Sequence, residues 1–233
     1  MGQYHLPISL TAQEKLRPSD YDDGNKLLEM TCSQDGVVKK LGELLQSSWK
    51  GHRIAIIGDY CAEDDLSAEA LEGITLPHAV DLYDVCMETF NSPAEVDFIS
   101  SNESVHVIYN LTKNEYLLPS DFGDSNAPSV FIDEGIDGGV MTAFFSLLAV
   151  SCRGGARGGG DIDSSSDLIG SWGGDRIAIV TENDLPENAT NISSGMKDIL
   201  VEAKEGAYKE IDDTVVRLRW DYRAQAYVEQ KIA

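Results

Sequence analysis

A nine-residue segment occurs twice in this chain, and the repetition limits the folds open to it more than any other feature. Residues 48–56 read Ser-Trp-Lys-Gly-His-Arg-Ile-Ala-Ile, and residues 171–179 match them at seven of nine positions. A second pair of matching segments lies upstream in the same order, at 10–21 and 111–122. Because repeats of this kind indicate a fold built from copies of one unit, the sequence predicts an internal duplication.

The two copies are expected to divide the chain near its middle. We assign residues 1–102 to the first copy and 103–233 to the second. The spacing between matching residues grows from 101 at the upstream pair to 123 at the Trp pair. A segment rich in Gly, Ser and Asp at 151–170 accounts for most of this growth, so we expect it to be an insert found only in the second copy.

Hydrophobic periodicity predicts the elements of each copy. The predicted strands are 53–57, 106–110, 115–118 and 176–180, and the predicted helices are 36–46, 81–90, 139–151 and 191–205. Residues 215–220 and 225–230 are expected to form a final hairpin. This order predicts the α+β class, in which each copy has an antiparallel or mixed sheet with helices on one side. We expect the two sheets to join across a pseudo-two-fold axis.

Several motifs resemble an uncharacterised family of small microbial proteins. They are the opening Met1-Gly2-Gln3-Tyr4, segment 24–29, the Arg-Gly-Gly-Gly-Asp loop at 157–161, the Trp-x-Gly-x-Arg-Ile segment and Gly58-Asp59-Tyr60. The pieces are shared unevenly, because the second copy has Thr181-Glu182-Asn183 where the first has Gly-Asp-Tyr. The resemblance implies a shared fold and no particular activity.

The charge of the chain is strongly acidic and uneven. Forty acidic residues stand against eighteen basic ones, giving a net charge of −22. From 54 to 152 there are eighteen acidic residues, and Lys113 is the one basic residue. Direct binding to nucleic acid is disfavoured, because it depends on clustered Lys and Arg. Two interpretations remain open: a solubilising or salt-adapted surface, and a surface that binds a basic protein.

The leading hypothesis is a non-enzymatic acidic protein that binds a basic protein surface. One version is an inhibitor of a nucleic-acid-handling enzyme, of the type phages use against host defence, with the acidic face as a nucleic-acid mimic. The candidate partner-binding residues are Glu63, Asp64, Asp65, Asp121 and Asp124. The alternative is a small-ligand-binding or hydrolytic enzyme with its site between the two copies.

The repeated Trp49 and Trp172 are predicted to pack in the core. Arg53 and Arg176 are then expected to pair with a carboxylate of the other copy. The functional interpretation makes them contacts for an anion, together with Arg157 of the glycine-rich loop. That loop lacks the phosphate-binding arrangement Gly-x-x-x-x-Gly-Lys-Ser/Thr and follows a predicted helix, so a surface loop is the better interpretation.

Metal and cofactor motifs are absent or incomplete. Asp161, Asp163 and Asp167 alternate as in calcium loops, but Ser166 and Trp172 stand where such a loop needs Gly and Glu. The four cysteines and four histidines show no zinc or thioredoxin-like spacing. We therefore expect no metal, no cofactor and no catalytic residue of a standard motif.

The chain has no apolar run long enough for a membrane helix and no secretory signal pattern at its start. These features predict a protein without membrane association, in the cytoplasm of its producing or host cell, with reduced cysteines.

Overall fold

A computed structural model describes residues 3–27, 29–31, 36–75, 81–95, 106–122, 140–150, 166–196, 208–211, 214–221 and 226–231. Its strands are β1 (His5–Ser9), β2 (Glu14–Lys15), β3 (His52–Gly58), β4 (His106–Asn110), β5 (Glu115–Leu117), β6 (Ala149–Val150), β7 (Asp175–Thr181), β8 (Thr190–Asn191), β9 (Tyr208–Ile211), β10 (Thr214–Asp221) and β11 (Ala226–Lys231). The helices with described bounds are α1 (Val37–Gln46), α2 (Leu82–Thr89) and α3 (Val140–Leu148), and residues 193–196 are also helical. The chain is therefore of mixed α+β class.

Eight of these strands form one mixed sheet. Their order is β2-β1-β3-β7-β4-β5-β8, and β6 pairs with β3 beside this path. β6 runs parallel to β3 and β8 runs parallel to β5, while the other pairs are antiparallel. At the centre, β3 and β7 pair with Arg53 opposite Arg176. The segments that carry the repeated sequence thus lie side by side in one sheet.

The sheet has an apolar core on each face. Side chains of a strand point alternately to opposite faces. Ile54 and Ile56 of β3 join a core formed with α1 and α3, whereas Ala55 and Ile57 join a second core formed with α2. A strand that is apolar on both faces must be covered on both. The expectation of helices on one side is therefore correct for α1 and α3 and wrong for α2.

Most of the predicted elements are confirmed. The strands predicted at 106–110 and 115–118 form β4 and β5, and those predicted at 53–57 and 176–180 form β3 and β7. Helices α1 and α2 form close to their predicted bounds. The third helix ends at Leu148, and Ala149–Val150 leave it to become β6. The final hairpin is present as β10 and β11, with β9 added to make a separate three-stranded sheet. Of the helix predicted at 191–205, residues 197–205 lie outside the described part.

Candidate functional site

Trp49 and Trp172 have the same surroundings in the two halves. Both are fully buried. The indole N–H of Trp49 donates to Glu14 Oε2 at 2.6 Å, and that of Trp172 donates to Glu115 Oε2 at 2.8 Å. Each Glu stands at or near the start of the second strand of a hairpin, so each indole ties that hairpin to the turn that enters the central strands. These contacts fit the structural role predicted for the two Trp residues.

The turn after each Trp makes a backbone hydrogen bond to the central strand of the other half. Gly51 N–H donates to Ile177 O, and Gly174 N–H donates to Ile54 O, both at 2.8 Å. Both glycines have a positive φ, +76° and +84°, which L side chains rarely adopt. The two turns therefore place β3 and β7 against each other at their amino-terminal ends.

The two arginines at this centre bind main-chain carbonyls. The guanidinium of Arg53 donates to Glu69 O and, at 2.9 Å, to Glu72 O. Nε of Arg176 donates to Gly51 O at 3.0 Å. The expectation that each arginine pairs with a carboxylate of the other half is wrong. Arg53 meets Glu72 Oε2 of its own half at 3.8 Å, and Arg176 crosses to a carbonyl oxygen.

An acidic segment, described at 59–75 and 81–95, covers the second core. Residues 59–95, named here the acidic layer, contain ten acidic residues and no Lys or Arg. The layer includes α2 and a 3₁₀ turn at Glu63–Asp65. The acidic residues whose side chains are described as exposed are Asp64, Asp65, Glu69, Glu72, Asp81, Asp84, Glu88 and Glu95. Leu66, Ala70, Leu82, Cys86 and Phe90 of the layer are buried in the second core, whereas these eight carboxylates face solvent.

Three basic side chains, from β2, the residue before the next turn and β3, bind the backbone of the acidic layer. Lys15 Nζ donates to Cys86 O at 3.2 Å, to Met87 O at 2.7 Å and to Phe90 O, at the carboxyl end of α2. Arg17 also donates to Met87 O, at 3.2 Å, and Arg53 donates to the two carbonyls of the segment before α2. A cation at this end of a helix is stabilised by the helix dipole and the unpaired carbonyls.

This arrangement leaves the carboxylates of the layer uncompensated. Among the described residues of the acidic layer, only Glu72 lies within ion-pair distance of a basic side chain, that of Arg53. Its side chain is 84% exposed, so the pair is weak. The nearest cations thus neutralise main-chain dipoles, and the negative field of the layer extends into solvent.

The predicted partner-binding residues do not all come together. Asp64 and Asp65 are exposed in the 3₁₀ turn that also contains Glu63, and Asp65 Oδ2 accepts the Ala62 N–H at 2.8 Å. Asp121 follows β5, at the other end of the strand order, and accepts the Asn191 side-chain amide at 2.8 Å. Asp121 is therefore not part of the acidic layer. Asp124 lies outside the described residues.

The remaining candidates give no metal or anion site in the described part of the chain. Arg157, Asp161 and Asp163 lie outside it, and Asp167 lies in a turn before Trp172. Among the described residues, no cluster of three His, Cys, Asp or Glu side chains is arranged to hold a metal ion.

A Ser–His contact also occurs in the first half, but it is not open to a substrate. Ser9 Oγ lies 3.1 Å from His52 Nδ1, and Ser9 is fully buried. Partial burial lowers the pKa of His52. The matching positions of the second half are Asn110 and Asp175, whose side chains bond at 2.8 Å. In both halves this pair of side chains connects the first strand of the hairpin, β1 or β4, to the central strand, β3 or β7. Its role is therefore structural.

Sequence reasoning missed the cations that position the acidic layer. Lys15 and Arg17 stand in a hairpin far upstream of α2, and no local pattern connects them with it. The outer face of α2 could have been found, because Asp81, Asp84 and Glu88 recur at helical spacing.

No helix in the described part of the chain combines the length and apolar character needed to cross a membrane. Comparison with protein-family models, with curated proteins and with solved structures gave no match. The geometry and the charge of the acidic layer are therefore the basis on which a function can be assigned.

Proposed function

We propose that this protein binds a basic protein surface through the acidic layer. The observation that carries the proposal is the use of Lys15, Arg17 and Arg53, which bind backbone carbonyls of the layer and leave its carboxylates exposed. A surface of one sign attracts and orients a partner of the opposite sign.

The partner class follows from the sign and density of the charge. Surfaces rich in Lys and Arg are built chiefly to bind nucleic acid. An acidic layer of this kind would compete with the phosphate backbone for such a surface. We therefore propose an inhibitor or regulator of a nucleic-acid-handling protein, and a nucleic acid itself would be repelled.

The proposal also includes the internal duplication. Four pairs of contacts support it: Trp49–Glu14 with Trp172–Glu115, Gly51–Ile177 with Gly174–Ile54, Leu10–Arg53 with Leu111–Arg176, and Arg53–Thr11 with Arg176–Thr112. The last pair joins a main-chain N–H to a Thr hydroxyl at 2.9 Å in both halves. On this account the acidic layer is the feature that distinguishes the first half.

The enzyme alternative has less support. The junction of the two halves is filled by apolar side chains that are fully buried, among them Trp49, Trp172, Ile54 and Ile177. A hydrolytic site needs polar groups that a substrate can reach. The polar side chains described at the junction are bonded to neighbouring protein groups instead: His52 to Ser9, Arg53 to Glu72 O, Asp175 to Asn110 and Arg176 to Gly51 O.

The experiment compares two variants of equal net charge. The layer variant changes Glu63, Asp64 and Asp65 together to Lys. The control variant changes Glu182, Asp184 and Glu187 to Lys, in the exposed turn that follows β7. Each set includes one carboxylate with a local hydrogen bond, that of Asp65 to Ala62 N–H and that of Asp184 to the Thr181 hydroxyl. The sets are therefore matched in charge and local setting.

Immobilised wild type and both variants are exposed to a bacterial lysate at about 0.1 M and about 1 M salt, which reduces the Debye length from ~10 Å to ~3 Å. We expect wild type and control to retain nucleic-acid-binding proteins at low salt, to release them at high salt, and to lose them to added duplex DNA. The layer variant should retain far less. The same proteins on all three surfaces, or a retained set without basic character, would refute the proposal.

A further inference from the structure

Two large aromatic residues at one border of the acidic layer are exposed, and the backbone brings them near each other. Tyr4 is 52% exposed and Tyr60 is 51% exposed, and the third exposed large hydrophobic residue of the described chain is Leu111 at 37%. Tyr4 N–H donates to Asp59 Oδ1 at 3.2 Å, and Asp59 N–H donates to Tyr4 O at 2.9 Å. Since Tyr60 follows Asp59 directly, the backbone brings both tyrosines to one place.

The segments that carry these tyrosines are fixed to each other. His5 pairs with Gly58 at the end of the β1–β3 ladder. The amide of Gln3 lies so close to Gly58 that a β-carbon there would collide with it. The start of β1 and the end of β3 are thus packed with no space between them, and the tyrosines stand on a rigid base.

A third tyrosine and two carboxylates belong to the same place. Tyr83 of α2 is partly buried, and its pKa is raised by this burial and further by the negative charges of Asp59 and Asp84 nearby. Tyr4 also contributes to that shift, whereas Arg17 opposes it. We name Tyr4, Tyr60, Tyr83, Asp59 and Asp84 the aromatic corner.

A buried polar group beside the corner is not explained by stability. Gln3 is fully buried, and neither its Oε1 nor its Nε2 has a hydrogen-bond partner within the part of the chain that the structure describes. An unsatisfied buried amide is destabilising, because it gives up its hydrogen bonds to water on folding. Gln3 therefore occupies its place beside the corner at a cost in stability.

The corner is present in one half only. The positions that match Gln3 and Tyr4 by the upstream offset are Ser104 and Val105, and those that match Gly58-Asp59-Tyr60 are Thr181-Glu182-Asn183. The aromatic residues thus occur in the half that carries the acidic layer. Their position makes them part of that surface and not of the duplicated framework.

We propose that the aromatic corner is the anchor of the acidic layer, where arginine side chains of the basic partner stack on Tyr4 and Tyr60 while their guanidinium groups face Asp59. The inference rests on the proposed function and names the contact that gives the surface its specificity. Tyr is enriched among residues that dominate binding energy at interfaces.

The chemistry favours arginine over lysine. A guanidinium is planar and weakly hydrated, so it stacks on an aromatic ring and still donates to a carboxylate at its edge. The attraction between a guanidinium and an aromatic ring is short in range, so salt screens it less than it screens the long-range attraction between the acidic layer and a basic partner. The corner and the layer can therefore be separated by experiment.

The test uses a short fluorescent oligo-arginine peptide, with an oligo-lysine peptide of equal length as comparison. The variant Tyr4→Ala/Tyr60→Ala should lower the affinity for oligo-arginine about tenfold and the affinity for oligo-lysine much less. Tyr4→Phe/Tyr60→Phe should keep wild-type affinity, because the rings remain. Leu111→Ala, an exposed residue of the other half, is the matched control and should change neither affinity. Because both tyrosines are largely exposed, the alanine variant should keep the wild-type thermal midpoint.

A second readout separates ring contact from general electrostatics. In NMR spectra of the bound peptide, arginine side-chain protons should shift upfield with wild type and not with the alanine variant. Equal affinity of wild type and alanine variant for oligo-arginine, or no ring-induced shift, would overturn the anchor. If the layer variant of Glu63, Asp64 and Asp65 binds both peptides as wild type does, the proposed function itself fails. Loss with the layer variant but not with the alanine variant removes the anchor alone.

Discussion

Trp49 and Trp172 each combine a buried indole with a bond to a carboxylate. The ring fills the core shared by α1 and α3, and the N–H reaches Glu14 or Glu115. A hydrogen bond to a charged group contributes about 1.5–3 kcal/mol, and burial of the ring adds to it. These two residues therefore connect the hairpins of the sheet to its centre.

Replacing either Trp should reveal both contributions. Trp49→Ala and Trp172→Ala should each lower the free energy of unfolding by about 3–5 kcal/mol, as large-to-small core changes do. Trp49→Phe and Trp172→Phe should cost less, because they keep most of the ring volume. Chemical denaturation followed by circular dichroism measures the change. A Trp172→Ala protein with wild-type stability would show that this ring is not a core element.

Two titratable groups, the partly buried Asp23 and the buried His5, should give opposite pH dependences of stability. Burial raises the pKa of Asp23 from 3.8 to about 6, although its Oδ2 accepts the Val37 N–H at 2.6 Å. Between these values the folded carboxyl holds a proton that the unfolded one has lost, so this group makes stability fall as pH rises from about 4 to 6. Burial lowers the pKa of His5 from 6.5 to about 4. Its contribution is lost as pH falls through the same range, because only the unfolded state then takes up the proton.

The variants Asp23→Asn and His5→Gln should therefore tilt the stability profile in opposite directions. Without the Asp23 carboxyl, the free energy of unfolding should rise more steeply from pH 4 to pH 6.5 than in wild type. Without the His5 imidazole it should rise less steeply or fall. Urea denaturation at a series of pH values gives the slopes. Parallel profiles for the two variants would contradict these assignments.

At the scale of elements, α2 depends on a cation that is not its own. Lys15 is 4% exposed, and its ammonium binds carbonyls of Cys86, Met87 and Phe90. Burial lowers the pKa of Lys15, and the nearby charge of Arg17 acts in the same direction. Burial also raises the pKa of the Cys86 thiol to about 12, although the nearby charge of Lys15 opposes this shift, so at neutral pH this buried cysteine is an uncharged thiol.

Lys15→Met should loosen the acidic layer. We expect a loss of about 2–3 kcal/mol, because buried carbonyls lose a charged donor. Hydrogen exchange should become faster in the amides of α2 and stay unchanged in those of α1. Arg17→Met is the comparison, since Arg17 is exposed, and it should change stability by only about 0.5 kcal/mol. Equal exchange in wild type and Lys15→Met would show that the cation does not hold the helix.

The sequence predicts elements better than it predicts their partners. Local periodicity is sufficient to locate α1, β3 and β7. It does not reveal that α2 covers the opposite face, because the pattern Ile54–Ile57 is apolar at every position and leaves both faces open. Nor does it reveal β6, whose two residues become a strand only through the parallel pairing with Ile56 and Ile57. The carbonyl partners of Lys15 lie 71 to 75 residues away, beyond any local signal.

For the whole molecule, the two halves share one core and one sheet. One edge of β3 pairs with β1, and the other pairs with β7 and β6, both from the second half. Its Ile54 and Ile56 share a core with Trp172 and Ile177. A first half without the second would expose this core and one edge of β3. The repeat in the sequence indicates two units, but the sharing of their core follows only from the pairing of β3 with β7.

The halves should therefore fold only together. Expressed separately, residues 1–102 and 103–233 should each lack a cooperative thermal transition. Expressed together, they should form a one-to-one complex with the wild-type circular dichroism spectrum, measured after size-exclusion chromatography. A first half that unfolds cooperatively alone would show that the core is not shared.

The central claim is that charge located in the acidic layer, and not the net charge of the chain, directs association. Stopped-flow mixing with the fluorescent oligo-arginine peptide measures it most directly, for wild type, for the layer variant (Glu63, Asp64 and Asp65 to Lys) and for the control variant (Glu182, Asp184 and Glu187 to Lys). At about 0.1 M salt the layer variant should associate several-fold more slowly than the control, and at about 1 M salt the difference should disappear. Equal association rates for the two variants at low salt would contradict the claim.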